Sequence, residues 1–328
     1  MQTIGGIQML KPFVSFAISL SLTLVLMPYY IRFLNRINHS QSISEYSLDE
    51  FKSKKQTPTM GGVLFVLIPL LAMLIVYPLS YTKLATGIVY LAFLGYGLIG
   101  FWDDALIVIQ HKNDGLKPLT KFISQVLLAI LFYFLYRQSA SSTILIPFTQ
   151  MFINLGWLYA VLVFVMFAGA SNGVNLTDGM DGLAGGTSLL AFIPFAYFAY
   201  TQNNMELLAF IVAVMGSLIG YLRYNWHPAK IIMGDTGALA LGGVLAALAM
   251  VLKQEFALIV IGGVFVFETI CVILQIGSVK LRKKKIFRYT PIHYSFTLSG
   301  WKETNVVLFF WLLGAICAVL GLLIGVMQ

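Results

Sequence analysis

Long apolar stretches separated by short polar connections cover nearly the whole chain. A helix needs about 20 mainly apolar residues to cross the hydrocarbon core of a bilayer. Ten stretches approach that length, and the pattern therefore predicts a single integral membrane domain over residues 1–328. The predicted spans are 13–33, 61–80, 84–101, 122–137, 152–170, 186–200, 206–222, 237–252, 256–276 and 305–326.

The connections differ in charge. We number them in chain order, so that an odd loop follows each odd-numbered span. Most of the 21 lysines and arginines fall in odd loops, above all in 34–60 and 277–304. Because basic residues favour the cytoplasmic side of a membrane, the odd loops are predicted to be cytoplasmic. The predicted fold is an all-α polytopic membrane protein with both termini extracellular and an active-site cleft on the cytoplasmic face.

The composition agrees with a membrane protein and fits a soluble domain poorly. Hydrophobic residues make up 59% of the chain and charged residues only 10%. Soluble domains are usually about half apolar and a quarter charged. We attribute the net charge of +8 to basic residues that orient the chain in the membrane and to the binding of anionic substrates. We therefore predict contact with membrane lipid and no nucleic-acid binding. Self-association as a homodimer is left open.

The acidic residues worth attention concentrate in the odd loops. Asp103 and Asp104 follow the third predicted span directly. Two adjacent carboxylates at a membrane surface cost desolvation energy unless a cation offsets it. The pair alone is weak evidence, since a solvated helix end would look the same.

A stretch rich in glycine, asparagine and aspartate occupies residues 171–186. Glycine lets backbone approach a ligand closely, and carboxylate and amide oxygens suit a hard cation or hydroxyl groups. A flexible turn does not require so many functional groups. We therefore predict a phosphate-and-metal site with four candidate side chains, namely Asn172, Asn175, Asp178 and Asp181.

Three more segments carry candidate chemistry. Residues 225–239 contain Asn225 and, just before a span, Asp235, which by itself could be a helix cap. Residues 52–62 set lysines beside a Thr-Pro-Thr turn, an arrangement that suits phosphate binding. Lysines are also expected there simply because cytoplasmic loops are basic. Residues 288–293 place an imidazole, His293, in a proline-containing loop.

Together these motifs resemble the polyprenyl-phosphate N-acetylhexosamine-1-phosphate transferases, over residues 52 to 311. Thr57 to Gly62, and Pro291-Ile292-His293 followed by Gly300-Trp301, mark the branch that uses a muramoyl-pentapeptide donor. The chain departs from that branch at His293-Tyr294-Ser295, where three consecutive histidines are common. The roles of the second and third imidazoles are therefore predicted to be dispensable here.

The resemblance implies a UDP-N-acetylmuramoyl-pentapeptide donor, an undecaprenyl phosphate acceptor and UMP as leaving group. It also implies Mg²⁺ held by Asp235, and the further candidate ligands are Asp103, Asp104 and Asn175. It implies catalytic roles for Asp103, Asp104, Asp178, Asp235 and His293. We predict that Asp103 acts as the base toward the acceptor. The implied substrate-binding residues are Lys52, Lys55, Thr57, Lys121, Asn172, Asn175, Asp178, Asp181, Asn225, Gln275 and His293.

Two alternatives stay open. A sister enzyme would transfer N-acetylglucosamine-1-phosphate from UDP-N-acetylglucosamine to the same lipid. A transporter or lipid flippase would instead place ionisable groups near mid-membrane and show internal repeats. Only Glu268 looks intramembrane, and we interpret it as a carboxylate paired with a neighbour inside the bundle.

Overall fold

The computed structural model describes residues 2–37, 57–110, 115–149 and 151–327. These residues form twelve α-helices, one 3₁₀ turn at Pro78–Thr82 and one antiparallel β-hairpin. The helices are α1 Gln2–Arg36, α2 Gly62–Val76, α3 Leu84–Gln110, α4 Pro118–Tyr136, α5 Leu158–Thr177, α6 Leu183–Thr201, α7 Met205–Asn225, α8 Gly234–Val251, α9 Glu255–Ile261, α10 Gly263–Arg282, α11 His293–Thr297 and α12 Glu303–Val326. The hairpin strands are β1 Thr143–Ile146 and β2 Met151–Asn154.

Nine of the described helices are long and apolar enough to span a membrane, which confirms a polytopic membrane protein. The predicted span 61–80 differs, because its helix α2 has only 15 residues. At 1.5 Å per residue α2 extends about 22 Å, short of the roughly 30 Å hydrocarbon core. It ends at Tyr77, directly before a proline that opens the 3₁₀ turn.

Two further predictions about the elements were wrong. The span predicted from residue 152 begins instead at Leu158, because residues 151–154 pair with β1, and the described chain is therefore not entirely α-helical. The span predicted at 256–276 is divided between α9 and α10 at Gly262. Apolar periodicity alone could not separate a short apolar strand or a helix break from a continuous span.

Side-chain contacts separate the two ends of the helix bundle. At one end the even loops meet: Lys83 Nζ lies 2.6 Å from Glu206 Oε1, and Lys253 donates to the carbonyl oxygen of Ser141. Lys11 near the start of α1 lies over the ring of Tyr77, and Gln254 donates to Gly325 O near the end of α12. The start of α1 and the end of α12 therefore lie at this even-loop end.

Helix α8 is the centre of the bundle, with every residue from Thr236 to Met250 buried. Its sequence is rich in glycine and alanine, and small residues let neighbouring helix backbones approach closely. Helices α3 and α5 pack on α8. This packing brings residue 103 of α3, residue 175 of α5 and residue 235 of α8 to the odd-loop end of the bundle.

Candidate active site

Three carboxylates converge at the odd-loop end. Asp103, Asp104 and Asp235 each offer an oxygen within 4.8 Å of the others. Asp103 and Asp104 lie within α3, which continues to Gln110 instead of ending before them. Asp235 is the second residue of α8. The acids of loops three and seven, which the charge pattern predicted on one side of the membrane, therefore lie together.

Asp104 holds the first turn of α8. Its Oδ1 accepts the Asp235 amide at 3.1 Å, while its Oδ2 accepts the amide and hydroxyl of Thr236 at 2.9 and 2.6 Å. The free N–H groups and the positive dipole end of a helix favour a carboxylate at this position. Asp104 therefore positions the start of α8 and with it Asp235, while its predicted catalytic role stays a prediction.

Two glycines allow α3 and α8 to meet so closely. Gly234 has φ +73°, a conformation that disfavours residues with a Cβ. A Cβ on Gly234 would also lie only 2.8 Å from Thr59 Oγ1. Gly100 on α3 packs against the Asp235 carbonyl with no room for a methyl group. The glycine of the Met-Gly-Asp motif thus permits the backbone turn that presents Asp235.

Asp235 has two side-chain partners besides the helix. Its Oδ1 accepts the Asn175 side-chain amide at 2.6 Å, and its Oδ2 forms an ion pair with Lys121. Lys121 Nζ also lies 3.7 Å from Asp103 Oδ1, which accepts the amide of Leu116. A single lysine thus bridges two of the three acids, and Asn175 joins α5 to the cluster.

The Thr-Pro-Thr segment runs beside the Asp235 turn. The carbonyl of Pro58 accepts the amide of Ile232, and the amides of Gly61 and Gly62 donate to Ile232 and Met233. This pairing places Thr57 at the start of a segment bound to the cluster. The candidate residues Lys52 and Lys55 lie outside the described residues, so their predicted phosphate contacts stay predictions.

The connection Asp178–Gly182 between α5 and α6, which we call the donor loop because the sequence predicts that it binds the donor, is held by the α7–α8 connection and by α12. Asp181 is buried; its Oδ2 lies 2.9 Å from His227 Nδ1 and accepts the Ala229 amide at 3.0 Å. Its own amide donates to Glu303 Oε1 at 2.8 Å. The contacts among Asp181, His227 and Glu303 therefore fix the position of this loop.

His293 lies behind the donor loop. It is fully buried, and its Nδ1 lies 2.9 Å from Glu268 Oε1. Glu268 also accepts the amides of Ile292 and His293, which confirms that this carboxylate is paired inside the bundle. Packing leaves no space between His293 Nε2 and Gly179. The ring therefore supports the loop from below, and the predicted catalytic role of His293 stays a prediction.

Three predicted substrate-binding residues are engaged in holding the protein together. Buried Asn225 accepts the Gly182 amide and donates to Ile231 O. Gln275 satisfies the backbone of Ile286 and Phe287. Asn172 donates to Gln125 and to Ala168 O. Buried loop backbone must be hydrogen-bonded, and Asn225 and Gln275 meet that need. The predicted substrate contacts of all three residues stay predictions.

Sequence reasoning missed three residues that contact the donor loop. Glu303 binds the Asp181 amide, Trp311 donates from Nε1 to Gly182 O at 3.1 Å, and Tyr294 donates to Gly179 O at 3.0 Å. Glu303 and Trp311 belong to a helix that looks like an ordinary span. The one available signal was the placement of Glu303 two residues after Trp301, just before the predicted span 305–326.

The acidic cluster has the composition of a site for a hard divalent cation. Among the described residues, Lys121 is the single cation within 4 Å of these three carboxylates. Mg²⁺ is typically held by one or two carboxylates, with waters and substrate phosphates completing the octahedron. Asp235 and Asp103, which face Lys121, are the residues that fit such an ion, with the side-chain amide of Asn175 beside Asp235.

Comparison with known proteins agrees with this geometry. Residues 86–253 match the family described as Glycosyl transferase family 4, and residues 54–66 match signature 1 of the phospho-N-acetylmuramoyl-pentapeptide-transferases. Three proteins of that name are similar along nearly their whole length. The protein from Geobacillus thermodenitrificans is 44% identical over 316 residues, which cover 95% of this chain and 97% of the relative.

The protein from Halalkalibacterium halodurans is 45% identical over 311 residues, covering 94% of this chain and 96% of the relative. The protein from Bacillus subtilis is 44% identical over 308 residues, covering 93% and 95%. The signature match includes the Thr-Pro-Thr segment that pairs with the Asp235 turn, and the longer family match includes all three acids of the cluster. The chain therefore belongs to the bacterial phospho-N-acetylmuramoyl-pentapeptide transferases, which are multi-pass membrane enzymes.

Proposed function

We propose that this enzyme transfers phospho-N-acetylmuramoyl-pentapeptide from its UDP donor to undecaprenyl phosphate, for peptidoglycan synthesis. An oxygen of the lipid phosphate attacks the phosphorus attached to the sugar. The bond from that phosphorus to the bridging oxygen breaks, and UMP leaves with both electrons. The observation that carries this proposal is the joining of the acidic cluster and the donor loop by the last turns of α5, in a chain of this family.

Charge is the main obstacle to this reaction. Donor pyrophosphate and acceptor phosphate are both anions, so phosphoryl transfer depends on neutralisation and alignment more than on covalent chemistry. Mg²⁺ held by Asp235, with Asp103 and Asn175, would supply positive charge at the pyrophosphate. Lys121 stands between Asp235 and Asp103 and offers its ammonium group to the same phosphates.

The donor side of the site follows from the end of α5. Asn175 lies one turn before Asp178, which closes the helix and begins the donor loop. Residues three apart lie on one helix face, so the metal-side amide and the donor-loop carboxylate are neighbours. We assign Asn175 and Asp178 to the pyrophosphate and nucleotide, with Asp181 maintaining the loop between them and the sugar.

The acceptor side is supported by an apolar cavity of about 350 Å³ between α5, α8, α9 and α10. Its lining includes Met166, Ala170, Ile259 and Phe265, which suit an isoprenoid chain. Ala170 is five residues before Asn175, a rise of about 7.5 Å along the helix. A lipid tail in this cavity would therefore bring its phosphate toward the acidic cluster.

The orientation of the site follows from the basic residues. Lysines and arginines concentrate in the odd loops, and the acidic cluster and donor loop lie at that end of the bundle. Since basic loops face the cytoplasm, the site faces the cytoplasm and both termini face outward in the bacterial plasma membrane. The nucleotide donor then binds from the cytoplasm while the acceptor arrives from the bilayer.

Replacement of Asp103 by asparagine tests its role as base toward the acceptor. The second pKa of a phosphate monoester is about 6, so alkaline buffer deprotonates the lipid phosphate without help. We expect a loss of activity at pH 6 that becomes much smaller at pH 9, relative to the unmodified enzyme at each pH. An equally deep loss at every pH would exclude the base role and leave Asp103 with its metal-site role alone.

A donor competition experiment tests the proposed substrate. Purified enzyme receives undecaprenyl phosphate with radiolabelled UDP-N-acetylmuramoyl-pentapeptide in one tube and radiolabelled UDP-N-acetylglucosamine in another. We expect label in the lipid product from the first donor only. Label from the second donor alone would identify the sister enzyme, whereas lipid or nucleotide movement without UMP release would indicate a transporter.

A further inference from the structure

We propose that Tyr294 is a positioning residue that fixes the donor loop through its hydroxyl group and thereby sets the direction of Asp178 toward the donor. The proposal rests on the function assigned above to this loop. It concerns the residue that stands where relatives commonly have a second histidine, and it gives that residue a role that the sequence did not indicate.

The hydroxyl of Tyr294 reaches the loop directly. Its Oη donates to the carbonyl oxygen of Gly179 at 3.0 Å, across 115 residues of sequence. The ring is fixed from two sides, with the His293 ring centroid at 4.2 Å and the Tyr289 ring at 5.6 Å in an edge contact. A phenol held in this way presents its hydroxyl along one direction only.

The loop backbone is seated against this pair of rings. A Cβ on Gly179 would lie 2.7 Å from Tyr294 Oη and still closer to His293 Nε2, so the position accepts no side chain without a shift of both rings. The absence of a side chain at Gly179 therefore lets the Tyr294 hydroxyl reach the loop backbone. The carbonyl that Tyr294 binds belongs to the residue immediately after Asp178.

Three further hydrogen bonds hold the second half of the loop. Glu303 binds the Asp181 amide, Asn225 binds the Gly182 amide, and Trp311 binds the Gly182 carbonyl. All three act on the last two residues of the loop. The hydrogen bond to Gly179 acts on the first half, next to the carboxylate assigned to the donor.

A phenol at this position differs from an imidazole in how its protonation depends on pH. Burial, and the neighbouring Asp178 carboxylate after it, raise the pKa of Tyr294 above its usual range, so its hydroxyl keeps its proton at any physiological pH. An unperturbed imidazole changes protonation near neutral pH. The hydrogen bond to Gly179 is therefore a constant donor interaction in this enzyme.

Replacement of Tyr294 by phenylalanine separates the hydroxyl from the ring. Loss of one neutral hydrogen bond corresponds to about a five-fold effect. We expect the donor KM to rise about five-fold, while kcat, the KM for undecaprenyl phosphate and the melting temperature stay as in the unmodified enzyme. Packing by the ring alone predicts instead an unchanged donor KM.

Tyr81→Phe is the matched control. Its hydroxyl likewise donates to a backbone carbonyl, that of Leu70, at the even-loop end. A donor KM in Tyr294→Phe equal to that of the unmodified enzyme, or an equal rise in both variants, would overturn the positioning role. Failure of the proposed function would look different, since the unmodified enzyme itself would then form no labelled lipid from the muramoyl donor.

Discussion

Asp235→Asn is expected to remove nearly all transferase activity while the protein still inserts into the membrane. Asparagine keeps the size of the side chain and an oxygen for the Asn175 amide, but loses the charge that faces Lys121 and the proposed Mg²⁺. A metal that polarises phosphate oxygens is worth several kcal/mol, and each 1.4 kcal/mol or so is tenfold in rate. We therefore expect kcat to fall about a thousand-fold or more.

The matched control for this variant is Glu206→Gln. Glu206 is also a carboxylate paired with a lysine, but its partner Lys83 lies at the even-loop end. We expect Glu206→Gln to keep near-normal turnover of the muramoyl donor. Near-normal turnover of Asp235→Asn at ordinary Mg²⁺ concentrations would exclude Asp235 as the principal ligand.

His293→Ala carries the second-largest expected effect. It removes the ring beneath Gly179 and leaves the buried Glu268 carboxylate without its imidazole partner. Interactions with charged groups are worth about 1.5–3 kcal/mol, which corresponds to a loss of roughly 10- to 100-fold in kcat/KM for the donor. The KM for undecaprenyl phosphate should stay unchanged, since the substrate-side contact of His293 is with the donor loop at Gly179.

A second variant distinguishes the loss of loop support from simple unfolding of the protein. Breaking a buried ion pair by removing one partner costs about 3–5 kcal/mol, because the other charge stays buried and unpaired. His293→Ala with Glu268→Ala removes that orphan charge. If the double variant folds and retains full donor kcat/KM, support of the loop by His293 is wrong; recovery of stability without recovery of activity agrees with it.

Sequence reasoning placed the acidic cluster well. The positions of Asp103, Asp104 and Asp235 in loops of one predicted side were enough to expect them together, and they meet within 4.8 Å. It assigned the metal to Asp235 and the base role to Asp103, but it did not indicate what Asp104 contacts. The packing of α3 on α8 turns Asp104 toward the helix terminus and leaves Asp235 facing Lys121.

The polar residues of the loops were harder to assign. Asn225 and Gln275 lie in or near functional motifs, but their amides satisfy backbone groups in buried turns. Those partners belong to residues 6 to 12 positions away and depend on how each loop folds back. Tyr294 showed the reverse, because this residue carries no imidazole and its hydroxyl nevertheless donates to Gly179 O.

Coupled product formation is the most direct test of the whole account. Purified enzyme is given undecaprenyl phosphate and UDP-N-acetylmuramoyl-pentapeptide carrying separate labels on uridine and on the sugar, with Mg²⁺ or with a chelator. The account predicts equal amounts of labelled UMP and labelled lipid product, formed only in the presence of Mg²⁺. UMP released without lipid product, or transfer that persists at full rate in the chelator, would contradict it.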